Sequence, residues 1–221
     1  MNNPGPISAH PREGGGPDLK KQDLDSRFRG NERSMEPAYE SQAAFRALMD
    51  CTARPGELRK LKGVEAPAPF APATAALIKS LADYETPLWL DAAFAAEKKV
   101  ADWIRFHCGA PIVRDAGEAT FALIADAATM PPLAQFAQGT AEYPDRSTTL
   151  LVQIESFAGT PFTLRGPGIK ASRDFAASPL PADFAARMKT NRTLFPRGVD
   201  LVLVAGNDIA ALPRSVTVEA R

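Results

Sequence analysis

A chain of 221 residues, 45% of them hydrophobic, is long enough to bury a sizeable core in one large domain or two small ones. Its 26 basic and 26 acidic residues balance, which disfavours nucleic acid and anionic membranes as partners. Two cysteines, Cys51 and Cys108, are too few for a disulfide scaffold, and no apolar run approaches the roughly 20 residues that span a bilayer. With no apolar h-region behind a basic start, these features predict a cytoplasmic protein that is neither secreted nor inserted in a membrane.

The beginning of the chain differs in composition from the rest. Residues 1–34 carry six apolar side chains against five Gly and four Pro, so this segment cannot offset the entropy of ordering. We predict a disordered tail at residues 1–34 and a single domain over residues 35–221. Because patterned sequence begins only after Met35, we also hypothesise that Met35 is the true start. Intact-mass measurement of the native protein tests this hypothesis, and a full-length mass would refute it.

The remainder alternates between helical and extended patterns. Apolar residues recur at helical spacing between Pro or Gly turns, and Asp91 stands where a helix N-cap is wanted. We predict helices at 38–50, 72–84, 92–106, 130–136 and 182–193, and strands at 58–64, 88–90, 112–113, 120–124, 148–154 and 162–165.

The most strongly patterned stretch follows the turn Phe195-Pro196-Arg197-Gly198. Residues 199–204 form an almost uninterrupted apolar run rich in β-branched side chains, which is typical of a strand buried on both faces. Such a strand needs a layer on each side. Together with the alternation of elements, it predicts an α/β domain with a layered mixed sheet and helices on both faces.

Sequence motifs for catalysis are weak. Gly166-Pro167-Gly168-Ile169-Lys170-Ala171 satisfies the G-x-G-x-x-A dinucleotide pattern, but the prolines at 179 and 181 leave no room for the phosphate-binding helix, so we predict a plain turn. His107 and Cys108 are adjacent, and adjacent helical residues do not face each other, which argues against a nucleophilic pair. Neither Lys170 nor Lys189 has a context that marks a Schiff-base lysine. We predict no metal and no catalytic residue.

Five arginines lie at the ends of predicted elements, beside Gly, Pro or apolar runs. They are Arg54, Arg105, Arg165, Arg197 and Arg214. Guanidinium forks suit phosphate and phosphonate groups, which makes this set a candidate for binding an anion or a partner. The alternative is that they are ordinary surface ion-pair partners, with Arg197 and Asp200 as a structural pair.

Short stretches across the chain occur together in one family's order and spacing. They include Leu81-Ala82-Asp83, Thr86-Pro87-Leu88-Trp89-Leu90, Ile104-Arg105-Phe106-His107, Leu164-Arg165-Gly166-Pro167-Gly168-Ile169 and the run from Phe195 to Asp200. Each stretch is weak alone, and their joint order makes the match specific. Over residues 38–218 the chain resembles the PhnH family, subunits of the bacterial carbon-phosphorus lyase complex.

The resemblance implies a function for an assembly. It implies a fold related to the pyridoxal-phosphate-dependent transferases without their cofactor site, no cofactor bound by this subunit, and a homodimer that joins PhnG, PhnI and PhnJ. That complex transfers the ribose triphosphate unit of ATP onto a phosphonate, and this subunit would be required but not catalytic alone. Two alternatives stay open: an autonomous enzyme that binds phosphate or phosphonate in an arginine-lined cleft, and a pyridoxal-phosphate enzyme.

Overall fold

A computed structural model of the chain describes residues 1–2 and 38–220. The chain divides into two units, Met1–Pro37 and Ala38–Arg221. Of the first unit only Met1 and Asn2 are described, and both are exposed. The predicted tail otherwise lies outside the described residues. The elements below all belong to the second unit.

The second unit alternates helices and short strands. The helices are α1 over residues 38–53, α2 (Pro72–Leu81), α3 (Ala92–Ala96), α4 (Lys98–His107) and α5 (Phe184–Thr193). The strands are β1 (Arg59–Lys60), β2 (Leu88–Leu90), β3 (Ile112–Val113), β4 (Phe121–Ile124), β5 (Thr149–Gln153), β6 (Phe162–Arg165), β7 (Arg173–Phe175), β8 (Asp200–Ala205), β9 (Asp208–Leu212) and β10 (Thr217–Ala220). Four short 3-10 helices of the described chain are η1 (Ala116–Glu118), η2 (Ala127–Thr129), η3 (Leu133–Gln135) and η4 (Pro144–Arg146).

Seven strands form a mixed central sheet in the order β1-β9-β8-β5-β4-β2-β3. The five strands from β8 to β3 in this order run parallel, and β9 and β1 add an antiparallel edge. A second sheet, β10-β6-β7, is antiparallel throughout. The α/β class and the mixed sheet predicted from the sequence are therefore confirmed.

The central sheet separates two hydrophobic cores. In β8, Val202 and Val204 belong to the first core, whereas Leu201 and Leu203 belong to the second, as the two-residue period of a strand requires. All four are at most 2% exposed, which confirms a strand buried on both faces. Helices α1 to α4 cover the first face, and α5, η1 to η3 and the second sheet cover the other.

Several predicted elements differ in extent. The helix predicted at 92–106 is two helices, because Glu97 has φ −96° and ψ 101° and interrupts the hydrogen-bond ladder between α3 and α4. The strand predicted at 58–64 reduces to β1, and the helix predicted at 130–136 is the single turn η3. The hairpin of β8 and β9 was missed, although Gly206-Asn207 is a two-residue loop with Gly206 at φ 59°.

None of the described helices is long and apolar enough to cross a membrane.

Candidate functional site

Ligands of open α/β sheets bind outside the carboxyl ends of the parallel strands, where successive connections leave toward opposite faces. In this sheet that position lies between β2 and β4. The connection after β2, α3 and α4, packs in the first core, whereas the connection after β4, η2 and η3, packs in the second. The carboxyl ends of β2 and β4 are therefore the position where this fold would usually place a ligand-binding site.

Asp91 occupies this position with its own carboxylate. Its Oδ1 accepts a hydrogen bond from the backbone N–H of Phe94 at 2.9 Å, which makes it the predicted N-cap of α3. Its Oδ2 accepts from the N–H of Ala125 at 2.7 Å, just beyond β4. A buried carboxylate thus takes two donors that would otherwise face an incoming anion. A phosphate or phosphonate would meet both a filled site and a like charge here.

A cleft of about 330 Å³ lies next to Asp91, at the ends of β4 and β5. Its lining residues are Pro69, Phe70, Ala71, Ala125, Asp126, Gln153, Ile154, Glu155 and Pro179. The Gln153 side chain organises one wall: its Nε2 donates to the Pro69 carbonyl at 2.8 Å, and its Oε1 accepts from the Ala71 N–H at 2.6 Å. Since Gln153 is only 8% exposed, it holds the segment 69–71 firmly over the strand ends.

The charge of this cleft is negative. Asp126 and Glu155 are exposed carboxylates in its lining, and no residue of the lining is basic. Such a cleft attracts cations and repels a triphosphate or a phosphonate. An anion site, if this chain has one, is therefore not at the edge of the sheet where the fold would usually place it.

Three of the candidate arginines form ordinary surface ion pairs. Arg54 at the end of α1 lies 3.4 Å from Asp50, and Arg105 on α4 lies 3.4 Å from Asp102. Arg165 on β6 lies 3.7 Å from Glu219 of β10. All three side chains are at least half exposed, with fractions of 51%, 79% and 55%. Pairs of this kind contribute little to stability.

Arg214, by contrast, is held in a dense network. Its Nε and Nη2 donate to Asp200 at 3.1 and 2.5 Å, and its backbone N–H donates to the same carboxylate at 2.8 Å. Nη1 donates to the Pro144 carbonyl at 2.6 Å, and Nη2 also bonds the Ser147 hydroxyl. The structural pair considered for Arg197 and Asp200 is therefore corrected: Asp200 pairs with Arg214, and Arg197 is exposed in the turn before β8.

The structure does not gather the five arginines around one cavity. None of them lines the cleft at the ends of β4 and β5. Arg197 follows Pro196 in the chain, and the carbonyl of Pro196 lies 3.5 Å from Arg214 Nη1. The assignment of these residues to an anion or a partner stays a prediction.

The glycine pattern at 166–171 is a turn, as predicted. It joins β6 to β7, and no helix follows it. Gly168 has φ 80°, and a Cβ there would meet the carbonyl oxygen of Ala53 at the end of α1. Lys170 and Lys189 are both exposed, so neither lies in a pocket suited to a Schiff base.

The thiols do not provide a nucleophile. Burial raises the pKa of both Cys51 and Cys108 to about 11, so both are neutral near pH 7, and neither is disulfide-bonded. The His107 ring packs against Trp103 at 4.5 Å, and desolvation lowers the pKa of His107. Within residues 38–220 no group of three or more His, Cys, Asp and Glu side chains is arranged to hold a metal ion.

The sequence analysis did not identify one surface on which arginines stack on aromatic rings. Arg146 lies over the ring of Tyr143 at 4.3 Å, and Arg192 lies over the ring of Phe195 at 5.0 Å. We call Tyr143, Arg146, Arg192, Phe195 and the neighbouring Arg197 the arginine–aromatic surface. The spacing of three residues within each pair was the sequence signal for it. Arg146 is the last residue of η4 and Arg192 lies in the last turn of α5, and neither pair belongs to a recognisable motif.

The fold and this site define an α/β protein with a mixed central sheet whose usual ligand position is occupied by its own carboxylate. The family model described as "Bacterial phosphonate metabolism protein (PhnH)" matches residues 33–219. The chain belongs to this family.

Two curated relatives agree with that family. The chain is 44% identical over 186 residues to "Alpha-D-ribose 1-methylphosphonate 5-triphosphate synthase subunit PhnH" of Rhizobium meliloti (strain 1021), which covers 83% of this chain and 92% of the relative. It is 30% identical over 84 residues to "Putative C-P lyase subunit protein HtxG" of Stutzerimonas stutzeri, covering 38% of this chain and 43% of that protein.

Proposed function

We propose that this chain is a subunit of the carbon-phosphorus lyase core complex, and that it supports transfer of the ribose triphosphate unit of ATP onto an alkylphosphonate. The observation that carries the proposal is the 44% identity to a protein named as a synthase subunit, because the match covers 92% of that protein. The relative named as a putative carbon-phosphorus lyase subunit points to the same machinery.

Within that complex the chain contributes assembly rather than chemistry. Three observations support this role: the carboxylate of Asp91 in the usual ligand position, the acidic lining of the adjacent cleft, and the neutral thiols. We further propose that the fold is a relative of the pyridoxal-phosphate-dependent transferases that has lost the cofactor site. The exposed positions of Lys170 and Lys189 are consistent with that loss.

The partners that we propose are a second copy of the chain and the subunits PhnG, PhnI and PhnJ, in the cytoplasm. Both relatives have the word "subunit" in their names, which supports a multi-subunit assembly. Two free cysteines, one of them fully buried, fit a reducing compartment.

Co-purification with tagged PhnI tests the assignment, together with growth of a deletion strain on methylphosphonate as the sole phosphorus source. We expect the chain to elute with PhnI, and the deletion strain to grow only when the chain is supplied from a plasmid. No association, together with normal growth of the deletion strain, would refute the proposal.

The autonomous-enzyme alternative makes a different prediction for the isolated protein. The purified chain, incubated alone with ATP and methylphosphonate, is expected to release no adenine, whereas the reconstituted complex is expected to release it. Turnover by the chain alone would favour the autonomous enzyme. An absorbance band near the visible edge in the purified protein would favour the pyridoxal-phosphate enzyme instead.

A further inference from the structure

We propose that the arginine–aromatic surface is the docking site for an acidic segment of another subunit, one that carries carboxylates on either side of an apolar side chain. The inference rests on the proposed function, because it requires that the chain works within a complex. It adds the place on the molecule and the chemistry of the partner.

The two arginine–aromatic pairs present unusual side chains to solvent. Tyr143 is 52% exposed and Phe195 53%, and each ring carries a guanidinium over its face. Stacking holds each guanidinium plane in place while its N–H edges stay available. Exposed aromatic rings combined with arginine are the composition of interface hot spots.

The two pairs belong to one rigid surface. The partly buried guanidinium of Arg214 bonds the carbonyl of Pro144 at 2.6 Å and lies 3.5 Å from that of Pro196, so it connects the segment of Tyr143 to the segment of Phe195. The N–H of Gly198 donates to the carbonyl of Gln138 at 2.9 Å, a second connection between the same segments. Because these loops are held in register, the partner would meet a preformed surface.

A largely apolar pocket of about 290 Å³ adjoins this surface, between η3 and α5. Its lining includes Pro132, Leu133, Ala186 and Leu194, and Leu194 directly precedes Phe195 in the chain. The paired side chains of Asp183 and Arg187 also line it. Gln138 also lines it, and the Oε1 of Gln138 is buried without a hydrogen-bond partner in the described chain. The pocket can therefore accept an apolar side chain, and Gln138 can accept a hydrogen bond from the backbone N–H beside it.

The charges select an acidic protein segment over other anions. Arg146, Arg192 and Arg197 form no salt bridge with any carboxylate among residues 38–220, so their charges are free to meet a partner. Glu142 and Asp145 lie in the same loop as Tyr143 and are exposed. Three arginines interspersed with two carboxylates would repel part of a polyphosphate or nucleic-acid backbone, whereas a peptide with spaced carboxylates can avoid that repulsion.

The test compares single variants within the reconstituted complex. Arg197→Glu, Arg146→Glu and Phe195→Ala are each expected to weaken association with the other subunits by about tenfold or more. For the two charge reversals, the dependence of affinity on salt should also become shallower. Arg114→Glu and Phe106→Ala are matched controls, because both residues are exposed and neither belongs to the arginine–aromatic surface, and they should leave affinity within about twofold.

The outcomes separate this inference from the proposed function. Wild-type protein that does not associate with PhnG, PhnI and PhnJ overturns both. If the wild type associates, and folded variants with unchanged melting temperature associate equally well, the docking site is elsewhere.

Light scattering of the isolated chain tests whether this surface instead pairs two copies of the chain. Variants that lose a dimer yet keep partner affinity would show that it does. Loss of ATP or methylphosphonate binding without loss of association would reveal a small-anion site instead.

Discussion

At the scale of the residue, the candidate arginines show that exposure and the number of bonded partners determine how much a guanidinium contributes to stability. Arg214 and Arg105 are both at the ends of elements, yet Arg214 is 13% exposed and bonds four different residues, whereas Arg105 is 79% exposed and reaches one carboxylate at 3.4 Å. Removing one partner of a buried pair leaves the other charge desolvated and unpaired. Removing one partner of an exposed pair leaves the other in water.

Replacing Arg214 with alanine is therefore expected to lower the free energy of unfolding by about 2–4 kcal/mol, since the carboxylate of Asp200 and the hydroxyl of Ser147 lose the guanidinium, and only the backbone N–H of residue 214 still donates to Asp200. Urea denaturation of the purified chain measures this. Arg105→Ala serves as the control and should change the free energy by less than about 0.5 kcal/mol. Equal effects of the two substitutions would contradict the structural role assigned to Arg214.

At the scale of the element, the turn between β6 and β7 is fitted to the end of α1. Gly168 stands at φ 80°, and Arg173 of β7 donates from Nη1 to the carbonyl of Pro55 at 2.7 Å and from Nη2 to the carboxylate of Glu57 at 2.8 Å. These contacts join the smaller sheet to the segment that follows α1. The glycine is needed both for its conformation and for the space.

Gly168→Ala and Gly109→Ala separate these two requirements. Both glycines have positive φ, 80° and 67°, so each substitution costs about 1–2 kcal/mol for the left-handed conformation. Only the Cβ at 168 would meet the backbone of Ala53, whereas the Cβ at 109 would have no neighbour within 4 Å. We expect Gly168→Ala to destabilise by at least about 2 kcal/mol more, measured by thermal or urea unfolding. Similar losses would mean that the turn moves away from α1 freely.

At the scale of the whole molecule, the two thiols of the first core join α1 to the sheet and the end of α4 to α2. Cys51 Sγ donates to the carbonyl of Ile209 on β9 at 3.7 Å, and Cys108 Sγ donates to the carbonyl of Ile78 on α2 at 3.7 Å. Burial raises the pKa of each thiol to about 11. Ionisation of either thiol therefore favours the unfolded chain, in which a cysteine ionises at about pH 9.

The sign of the pH effect follows from these raised values. The contribution of the neutral, buried thiols to the free energy of unfolding is fully present below the unfolded pKa. It is lost as pH rises through about 9 to the folded pKa of about 11. We expect the melting temperature to fall over this interval, and to fall less steeply in the double variant Cys51→Ala/Cys108→Ala. Tyrosines and lysines titrate in both proteins, so the difference between the two slopes is the quantity to measure. Identical slopes would contradict the prediction.

Local patterns in the sequence carried much of the fold. The apolar run of β8, the N-cap at Asp91 and the Gly/Pro turn at 166–168 were predicted and confirmed, because strand period, capping and turn chemistry depend on residues a few positions apart. The ordered short stretches also identified the family, which the match over residues 33–219 confirms. The break between α3 and α4 was not predicted, for the same local reason: no Gly or Pro stands at Glu97 to signal it.

The tertiary structure alone decided which groups meet. Nothing local indicates that Asp200 pairs with Arg214 rather than Arg197, or that Arg214 reaches Ser147, 67 positions away. The second bond of Asp91 likewise spans 34 positions, and it is this bond that fills the usual ligand position. The sequence by itself thus determined many of the elements, the layered class and the family. The pairing of charges across distant loops followed only from the order of strands in the sheet, because that order sets which segments become neighbours.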